Sequence, residues 1–201
     1  MSLIEFDRQV KDEGFKLLAG VDEAGRGPLA GPVFACAIIM NEDNIIEDIN
    51  DSKKISEKKR EMLYDVILDN ALAVSVAYMD EKQIDEINIL NATMLAMDAA
   101  IKGLEIKPDI VLIDGNRDKG IDGNTRCVVK GDAKSYNVAA ASIIAKVSRD
   151  RYIREMDEKY PGYGFAKHKG YGTKEHYEAI ERLGICEIHR KTFLKKILGE
   201  K

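Results

Sequence analysis

The chain has 201 residues, of which 45% are hydrophobic and 33% charged, and it carries a formal net charge of −4. This length allows one good hydrophobic core, and the composition is that of an ordinary globular protein. No apolar run reaches the roughly 18 residues that a membrane-spanning helix requires, and residues 1–14 are too polar for a secretory signal. We therefore expect a cytoplasmic protein that does not bind a membrane, and we expect a monomer.

The cysteines are few and far apart in the chain: Cys36, Cys127 and Cys186. In a reducing compartment such cysteines usually serve as small packing residues. The Cys-x-x-Cys spacing typical of zinc sites is missing from the sequence, so a zinc site is not expected. We predict three free thiols.

Charge is divided unevenly along the chain. Residues 1–125 contain 25 acidic and 14 basic residues, whereas residues 126–201 contain 10 acidic and 17 basic residues. An acidic half with a carboxylate site and a basic half that meets phosphates would suit a nuclease. Solvated helix faces that differ in sign would give the same asymmetry, so this observation leaves both interpretations open.

Hydrophobic periodicity predicts one α/β domain over residues 1–201, built on a mixed five-stranded sheet flanked by helices. Ser56 is the expected N-cap of the second helix. The apolar residues of the third helix, among them Leu90, Met94 and Leu95, are expected to be core. The last two helices are expected to form a small appendage over 173–201. The predicted strands are 16–22, 32–40, 71–79, 110–113 and 125–129; the predicted helices are 2–13, 56–70, 88–103, 138–160, 173–183 and 190–198, with a loop over 161–172.

The segment from Val21 to Val33 organises the functional prediction. Asp22 and Glu23 end an apolar run that reads as a buried strand, and unpaired buried carboxylates cost several kcal/mol or more unless something compensates them. Gly25, Arg26 and Gly27 follow at once, and backbone without side chains at two of three positions can approach a ligand closely. Acids next to a glycine-flanked arginine would suit a site that holds a metal and a phosphate together.

Two further acids stand at or just beyond predicted strand ends: Asp114 after the fourth strand and Asp132 after the fifth. If the first, fourth and fifth strands are parallel neighbours, these acids converge with Asp22 and Glu23 beyond the carboxyl ends of the strands. Oxygen ligands without His or Cys favour Mg²⁺ or Mn²⁺. Two such ions could activate a water and stabilise the leaving oxygen of a phosphodiester.

The motif Val-Asp-Glu-Ala-Gly-Arg-Gly-Pro-Leu-Ala-Gly-Pro-Val resembles the signature of the ribonuclease HII family, the type 2 ribonucleases H. The similarity runs in order from about residue 16 to 194. The first motif is highly specific. Further matches are Asp51-Ser52-Lys53-Lys54, Asp114-Gly115, Lys130-Gly131-Asp132, Ala139 to Val147, His168 to Thr173 and His189 to Phe193. Small departures occur at Tyr136, Asn137 and Thr192.

The resemblance implies a ribonuclease H-like fold and metal-dependent endonucleolytic cleavage of RNA paired to DNA. It also implies cleavage on the 5′ side of a ribonucleotide embedded in duplex DNA, leaving 3′-hydroxyl and 5′-phosphate ends, with roles in ribonucleotide removal and RNA primer processing. By the same resemblance, Gly25, Arg26 and Gly27 sense the ribose 2′-hydroxyl and Tyr171 lies near the RNA–DNA junction. The implied metal-binding and catalytic residues are Asp22, Glu23, Asp114 and Asp132.

Basic residues elsewhere are weaker candidates for substrate contact. Lys53, Lys146 and Arg149 could grip phosphates, although a solvated side chain is the default for each. His168 could touch the nucleic-acid backbone from its basic loop. His176 and His189 are expected to make structural hydrogen bonds.

Two other classes of function remain open on the sequence. Gly25-x-Gly27-x-x-Ala30 fits a dinucleotide-binding fingerprint, but that site needs a helix directly after the glycines, and here a β-rich run follows. A non-catalytic reader of hybrid duplexes is the second alternative. The presence of all four acids argues against it.

Overall fold

The computed structural model describes residues 1–49 and 55–199. Five strands form one sheet in the order β3-β2-β1-β4-β5. The strands are β1 (Leu18–Ala24), β2 (Val33–Met40), β3 (Ala71–Met79), β4 (Ile110–Asp114) and β5 (Thr125–Val128). The helices are α1 (Leu3–Asp12), α2 (Glu57–Asn70), α3 (Glu81–Lys102), α4 (Tyr136–Lys159), α5 (Phe165–His168), α6 (Lys174–Leu183) and α7 (Lys195–Leu198), with 3₁₀ turns at Gly131–Ala133 and Lys191–Phe193.

The sheet is mixed, as predicted. β1 pairs in parallel with β4, and β4 with β5, whereas β1–β2 and β2–β3 are antiparallel. In the parallel pair Val21 lies opposite Ile113, so the next residues, Asp22 and Asp114, stand at the same level of neighbouring strands. Because side chains alternate between faces with period two in both strands, these two side chains point to the same face of the sheet. The expected juxtaposition of the first, fourth and fifth strands is confirmed.

Helix α4 lies directly on β1, and Gly20 permits this contact. A Cβ added at Gly20 would lie 2.2 Å from the carbonyl carbon of Asn137, so a larger residue would push the helix away. The side chain of Asn137 ties the start of α4 to β2, because its Oδ1 accepts from the amide of Met40 at 2.7 Å. The amide groups of Asn137 donate to Asp7 of α1. The first turns of α4 are thereby fixed against the strand that carries Asp22.

Helix α3 covers the opposite face of the sheet and begins earlier than predicted. Asp80 caps it with Gln83 in a reciprocal capping box, and the predicted start at Asn88 is an internal break with φ 68°. The side chain of Asn88 accepts from the amide of Asn91, so it acts as a second cap inside the helix. The expectation that Leu95 is core is wrong, because its side chain is exposed. Leu90 and Met94 line a cleft beside the carboxylates.

The predicted N-cap of α2 is confirmed, because the side chain of Ser56 accepts from the amide of Lys59. The apolar side chains of this helix are only partly buried. Leu63 and Ile67 pack inward, whereas Met62 and Val66 are exposed. The three cysteines are free thiols, as expected.

The C-terminal segment packs around Phe165, which contacts a cluster that includes Ile153 of α4 and Leu29 and Ala30 of the loop after β1. Two predictions fail here. Residues 165–168 form a helical turn within the predicted loop, between Gly164 and Lys169, both of which have positive φ. The predicted helix over 190–198 is instead a 3₁₀ turn followed by the short α7.

Among the described residues, no helix is both long and apolar enough to span a bilayer.

Candidate functional site

Three carboxylates meet at the carboxyl ends of β1 and β4. Asp22 is buried, with 4% of its surface exposed, and its Oδ1 accepts from the amide of Glu23 at 2.7 Å. Burial raises the pKa of Asp22 well above its usual range, and the neighbouring carboxylates of Glu23 and Asp114 raise it further, against an opposing hydrogen bond from Ser142. Burial likewise raises the pKa of Glu23. The fold therefore brings these carboxyl groups close together at a poorly solvated end of the sheet.

Asp132 lies in the turn after β5. The amide of Gly131 donates to Oδ1 of Asp114 at 2.6 Å, which fixes the 3₁₀ turn against the end of β4. Lys130 enters this turn with φ 58°, in the left-handed region. Asp132 is buried one residue beyond the hydrogen bond. The structure thus brings the fourth predicted acid to the same end of the sheet.

The carboxylates border two clefts. The larger, about 340 Å³, is lined by Glu23, Arg26 and Asp114 together with Leu90, Met94 and Arg117. The smaller, about 150 Å³, contains Asp22, Glu23, Gly25, Ser142, Lys146 and Tyr171 among its lining residues. Because Glu23 lines both clefts, an extended ligand that crosses this surface would pass directly over the acids.

The donor set fits a hard divalent cation. All four predicted ligands offer carboxylate oxygen, which Mg²⁺ and Mn²⁺ prefer. A cation would also relieve the repulsion that raises the pKa of Asp22. Within residues 1–49 and 55–199, no three His, Cys, Asp or Glu side chains already stand in a metal-holding arrangement. The carboxylates would have to draw together when the ion binds.

Two buried arginines hold the loop between β1 and β2. Arg190 donates to the carbonyl oxygens of Gly25 at 2.6 Å, Arg26 at 3.0 Å and Gly31 at 2.8 Å. Arg149 donates to the carbonyls of Pro32, Ala30 and Lys169 at 3.0–3.1 Å. Burial lowers the pKa of Arg190 to about 9 and that of Arg149 to about 10, so both remain protonated at neutral pH. Five of these charge-assisted hydrogen bonds fix this loop, and the sixth ties Arg149 to Lys169.

The arginine contacts decide which way the loop presents its amides. In a trans peptide the C=O and the following N–H point in opposite directions. Since the carbonyls of Gly25 and Arg26 point inward to Arg190, the N–H groups of Arg26 and Gly27 point the other way. Gly25 itself has φ 100°, and a Cβ there would meet the Arg149 side chain at 2.1 Å. Only glycine allows both the turn and the close approach.

Tyr171 lies against this same loop. A Cβ at Gly27 would be 3.5 Å from Cε1 of Tyr171, which is an ordinary van der Waals distance. Tyr171 is 44% exposed. The amide of Leu29 donates to the carbonyl of Gly170 at 2.8 Å, so the two loops are also joined through their backbones. The glycine-flanked arginine and Tyr171, distant in sequence, therefore form one surface beside the acids.

The basic residues predicted to grip phosphates differ in their positions. Lys146 lines the smaller cleft, where its ammonium group pairs with Asp150 at 2.6 Å. For Arg149 the prediction of a phosphate contact is wrong: the side chain is buried and its guanidinium donates to three carbonyls. Lys53 lies outside the described residues. Arg26 is half exposed at the cleft and stands 3.4 Å from Glu23.

Sequence reasoning missed other residues of the site. Arg190 belongs to the closing motif His189 to Phe193, and nothing in a sequence shows that an arginine will be buried against carbonyls. Arg117 and Arg60 line the two clefts without belonging to any recognised pattern. The expectation that His176 and His189 make structural hydrogen bonds is confirmed, because both rings are hydrogen-bonded and buried. His168 is buried and bonded to backbone, so its expected contact with nucleic acid is wrong.

Comparison with known proteins decides the family. The ribonuclease HII family model matches residues 19–196. The chain belongs to the ribonuclease HII family. It is 58% identical over 195 residues to the ribonuclease HII of Caldicellulosiruptor bescii, covering 97% of this chain and 95% of that one. It is 53% identical over 193 residues to that of Clostridioides difficile, covering 96% and 76%. It is therefore a ribonuclease of the RNase H type.

Solved structures agree with the fold. The ribonuclease H2 of Pyrococcus horikoshii matches with a TM-score of 0.72 and 30% identity, over 88% of this chain and 93% of that one. The RNase HII in a complex with PCNA from Archaeoglobus fulgidus matches with a TM-score of 0.75 and 28% identity, over 87% and 94%. The ribonuclease H-like fold is confirmed. The dinucleotide-binding alternative is excluded, because β2 rather than a helix follows the glycines.

We expect Asp22→Asn to stabilise the protein in EDTA at pH 7.5. The pKa of Asp22 is raised on folding. The ionised aspartate therefore destabilises the folded state: the loss of stability begins as pH rises above the unfolded pKa of about 4 and is complete once pH exceeds the folded pKa. The gain in Tm should be about 2–4 °C for each kcal/mol removed and should vanish toward pH 4. Thermal unfolding across this pH range measures it.

Asp109→Asn is the matched control. Backbone amides of Leu17 and Lys16 lower the pKa of Asp109, so this change should lower the Tm at pH 7.5, again with no effect at low pH. Equal shifts for the two variants, or a loss of stability in Asp22→Asn at pH 7.5, would contradict the crowding of charge at the site.

Arg190→Lys should loosen the loop over 25–31. Lysine cannot reach three carbonyls at once, and each buried carbonyl left unpaired costs about 1–3 kcal/mol. Amide hydrogen exchange at residues 26–31 should accelerate, and the urea midpoint should fall. In Arg182→Lys, where an exposed arginine donates to the Gly162 carbonyl, both should stay near wild type. Unchanged exchange in Arg190→Lys would show that the arginine does not fix the loop.

Proposed function

We propose that this chain is an endonuclease that hydrolyses the RNA strand of RNA–DNA hybrids and cuts 5′ of ribonucleotides embedded in duplex DNA. The single observation that supports the proposal is the juxtaposition of Asp22, Glu23 and Asp114 with the loop of Gly25, Arg26 and Gly27 and with Tyr171. An acid cluster by itself would suit many phosphodiesterases. The adjoining loop adds a means of recognising a ribose beside the reacting phosphate.

The proposed catalytic residues are Asp22, Glu23, Asp114 and Asp132, which would hold two divalent cations, Mg²⁺ or Mn²⁺. When bound, such ions lower the pKa of an attacking water and neutralise the developing charge on the phosphate and leaving oxygen. Asp22 and Asp114, which are in register on parallel strands, would both help to hold these ions. Attack on the 5′ side of the ribonucleotide would leave 3′-hydroxyl and 5′-phosphate ends.

Recognition of RNA rests on the 2′-hydroxyl, the group that DNA lacks. The N–H groups of Arg26 and Gly27 point away from Arg190 and can donate to that hydroxyl without any contact to a base. The Arg26 side chain and Lys146, which line the clefts, would approach neighbouring phosphates. We therefore propose that the protein selects ribose and ignores base sequence.

Tyr171 would pack on the sugar that follows the ribonucleotide. An aromatic face packs well on a deoxyribose, whereas a 2′-hydroxyl there would have to lose its water. A preference for DNA on the 3′ side of the cut follows. Within a cell this specificity suits removal of stray ribonucleotides and of RNA primers. We propose one domain over residues 1–201, with 173–201 as its appendage, acting as a monomer.

The decisive experiment uses a labelled DNA duplex with one ribonucleotide, with Mg²⁺, Mn²⁺ or EDTA. We expect one cut 5′ of the ribonucleotide with either metal, no cut in EDTA, and resistance of duplexes with a 2′-deoxy or 2′-O-methyl sugar. Asp114→Asn should lose at least about 100-fold in rate, since even residues that only support metal ligands cost 10–100-fold. Asp109→Asn should cut normally. Cleavage of the 2′-deoxy duplex, or near-normal cutting by Asp114→Asn, would refute the assignment.

Tyr171→Ala should slow cutting at a lone ribonucleotide much more than cutting within a long hybrid. The expected loss is about 5- to 150-fold, the range for one aromatic contact to nucleic acid. Tyr171→Phe keeps the ring and should cut near the wild-type rate. Tyr78→Ala, an exposed tyrosine on β3, controls for loss of a surface ring. An equal loss on both substrates would mean that the ring supports the site generally.

A further inference from the structure

All three histidines of the chain lie together in the C-terminal segment, and all are buried. The rings of His168 and His176 stack with centroids 4.4 Å apart. Nε2 of His176 lies 3.1 Å from Nε2 of His189. The ring of Phe165 makes T-shaped contacts with His168 and His176. None of these rings borders the clefts at the acids, so the chemistry proposed above leaves the cluster unused.

The partners of each ring nitrogen fix where the protons are. Nδ1 of His176 faces the carbonyl of Tyr171 at 2.9 Å, so it must carry a hydrogen and donate. In a neutral ring Nε2 of His176 is then an acceptor, and it takes a hydrogen from Nε2 of His189. That leaves Nδ1 of His189 bare, where it accepts from the amide of Cys186 at 2.9 Å. One consistent chain of donors runs from Cys186 through both histidines to Tyr171.

His168 is assigned in the same way. Its Nε2 faces the carbonyl of Tyr163 at 2.8 Å and must donate. Its Nδ1 is then bare and accepts from the amide of Gly170 at 3.2 Å. His168 and His176 therefore hold the backbone on both sides of the bond between Gly170 and Tyr171. A proton added to the bare nitrogen of any of the three rings would make it a donor, and it would then face the N–H group from which it now accepts. Burial lowers the pKa of His176 and of His189 to about 4, so both rings stay neutral at physiological pH.

The same segment reaches the loop over 25–31. The carbonyl of Gly170 accepts from Leu29, His189 pairs with Ala30 in a short β-bridge, and Arg190 follows directly in sequence. We propose that His168, His176 and His189 form a relay of stacked and hydrogen-bonded rings that positions Tyr171 against Gly27, with His176 as its principal positioning residue. This proposal rests on the proposed function insofar as Tyr171 reads the sugar 3′ of the ribonucleotide. No ring of the relay touches substrate.

Two substitutions at one position separate this role from simple packing. His176→Asn keeps an amide donor where Nδ1 stands, so the bond to Tyr171 survives. His176→Leu fills similar space and removes that donor. We expect His176→Leu to slow cutting at a lone ribonucleotide about as much as Tyr171→Ala, with little effect on a long hybrid, and His176→Asn to retain most of the activity. In the double variant His176→Leu/Tyr171→Ala the second change should add nothing, because both act through one ring.

Nuclear magnetic resonance tests the relay without any activity. In the wild-type protein, ¹⁵N shifts should show hydrogen on Nδ1 of His176 and on Nε2 of His189 and His168, and the rings of His176 and His189 neutral at pH 7. An Overhauser contact between the Tyr171 ring and the Gly27 α-protons should be present in wild type and in His176→Asn, and lost in His176→Leu. A different set of tautomers, or a contact that persists in His176→Leu, would overturn the proposal.

The activity arms separate failure of the relay from failure of the proposed function. If wild type cuts at a lone ribonucleotide and Tyr171→Ala slows it selectively, the function stands. The relay is then overturned by a His176→Leu variant that cuts like wild type or slows on both substrates alike. If wild type does not cut the single-ribonucleotide duplex, the proposed function fails. The resonance measurements then decide the relay without reference to cleavage.

Discussion

Parallel pairing of β1 with β4 is the constraint on which the rest of the structure depends. Val21 opposite Ile113 sets Asp22 and Asp114 side by side. A slip of one residue would turn one of them to the other face of the sheet. Small residues keep the register tightly supported, since Gly20 lets α4 rest on β1. The mutual repulsion of these acids is the cost of a site that a divalent cation can stabilise.

Opposite charges serve opposite sides of the same loop. The acids lie at one end of β1. The chain that follows directly passes over two buried guanidinium groups, which donate hydrogen bonds to its carbonyl oxygens. Both arginines are therefore structural, and Arg190 orients the peptide bonds after Gly25 and Arg26 so that the N–H groups of Arg26 and Gly27 point away from it. This division explains how a backbone segment with little side-chain chemistry of its own can present a fixed pair of donors.

Much of the site could be predicted because its residues are local in sequence or end strands. Asp22, Glu23 and Gly25 to Gly27 form one continuous motif, and Asp114 ends a strand that periodicity identifies. What failed depends on tertiary contacts. Arg149 resembles any surface arginine, because arginine is usually exposed. Met94 and Leu95 have the same apolar character, yet one lines the cleft and the other faces solvent. The predicted start of α3 is wrong because Asn88 is itself a good helix cap, although it lies at a break inside the helix.

A crystal structure of the wild-type protein with a single-ribonucleotide duplex and Ca²⁺ tests the central claim most directly. It should place the ribose 2′-oxygen about 3 Å from the amide nitrogens of Arg26 and Gly27. The scissile phosphate should lie over Asp22 and Asp114, and the Tyr171 ring should lie on the following deoxyribose. A ribonucleotide bound away from this loop, or one held through its base edges, would contradict the account.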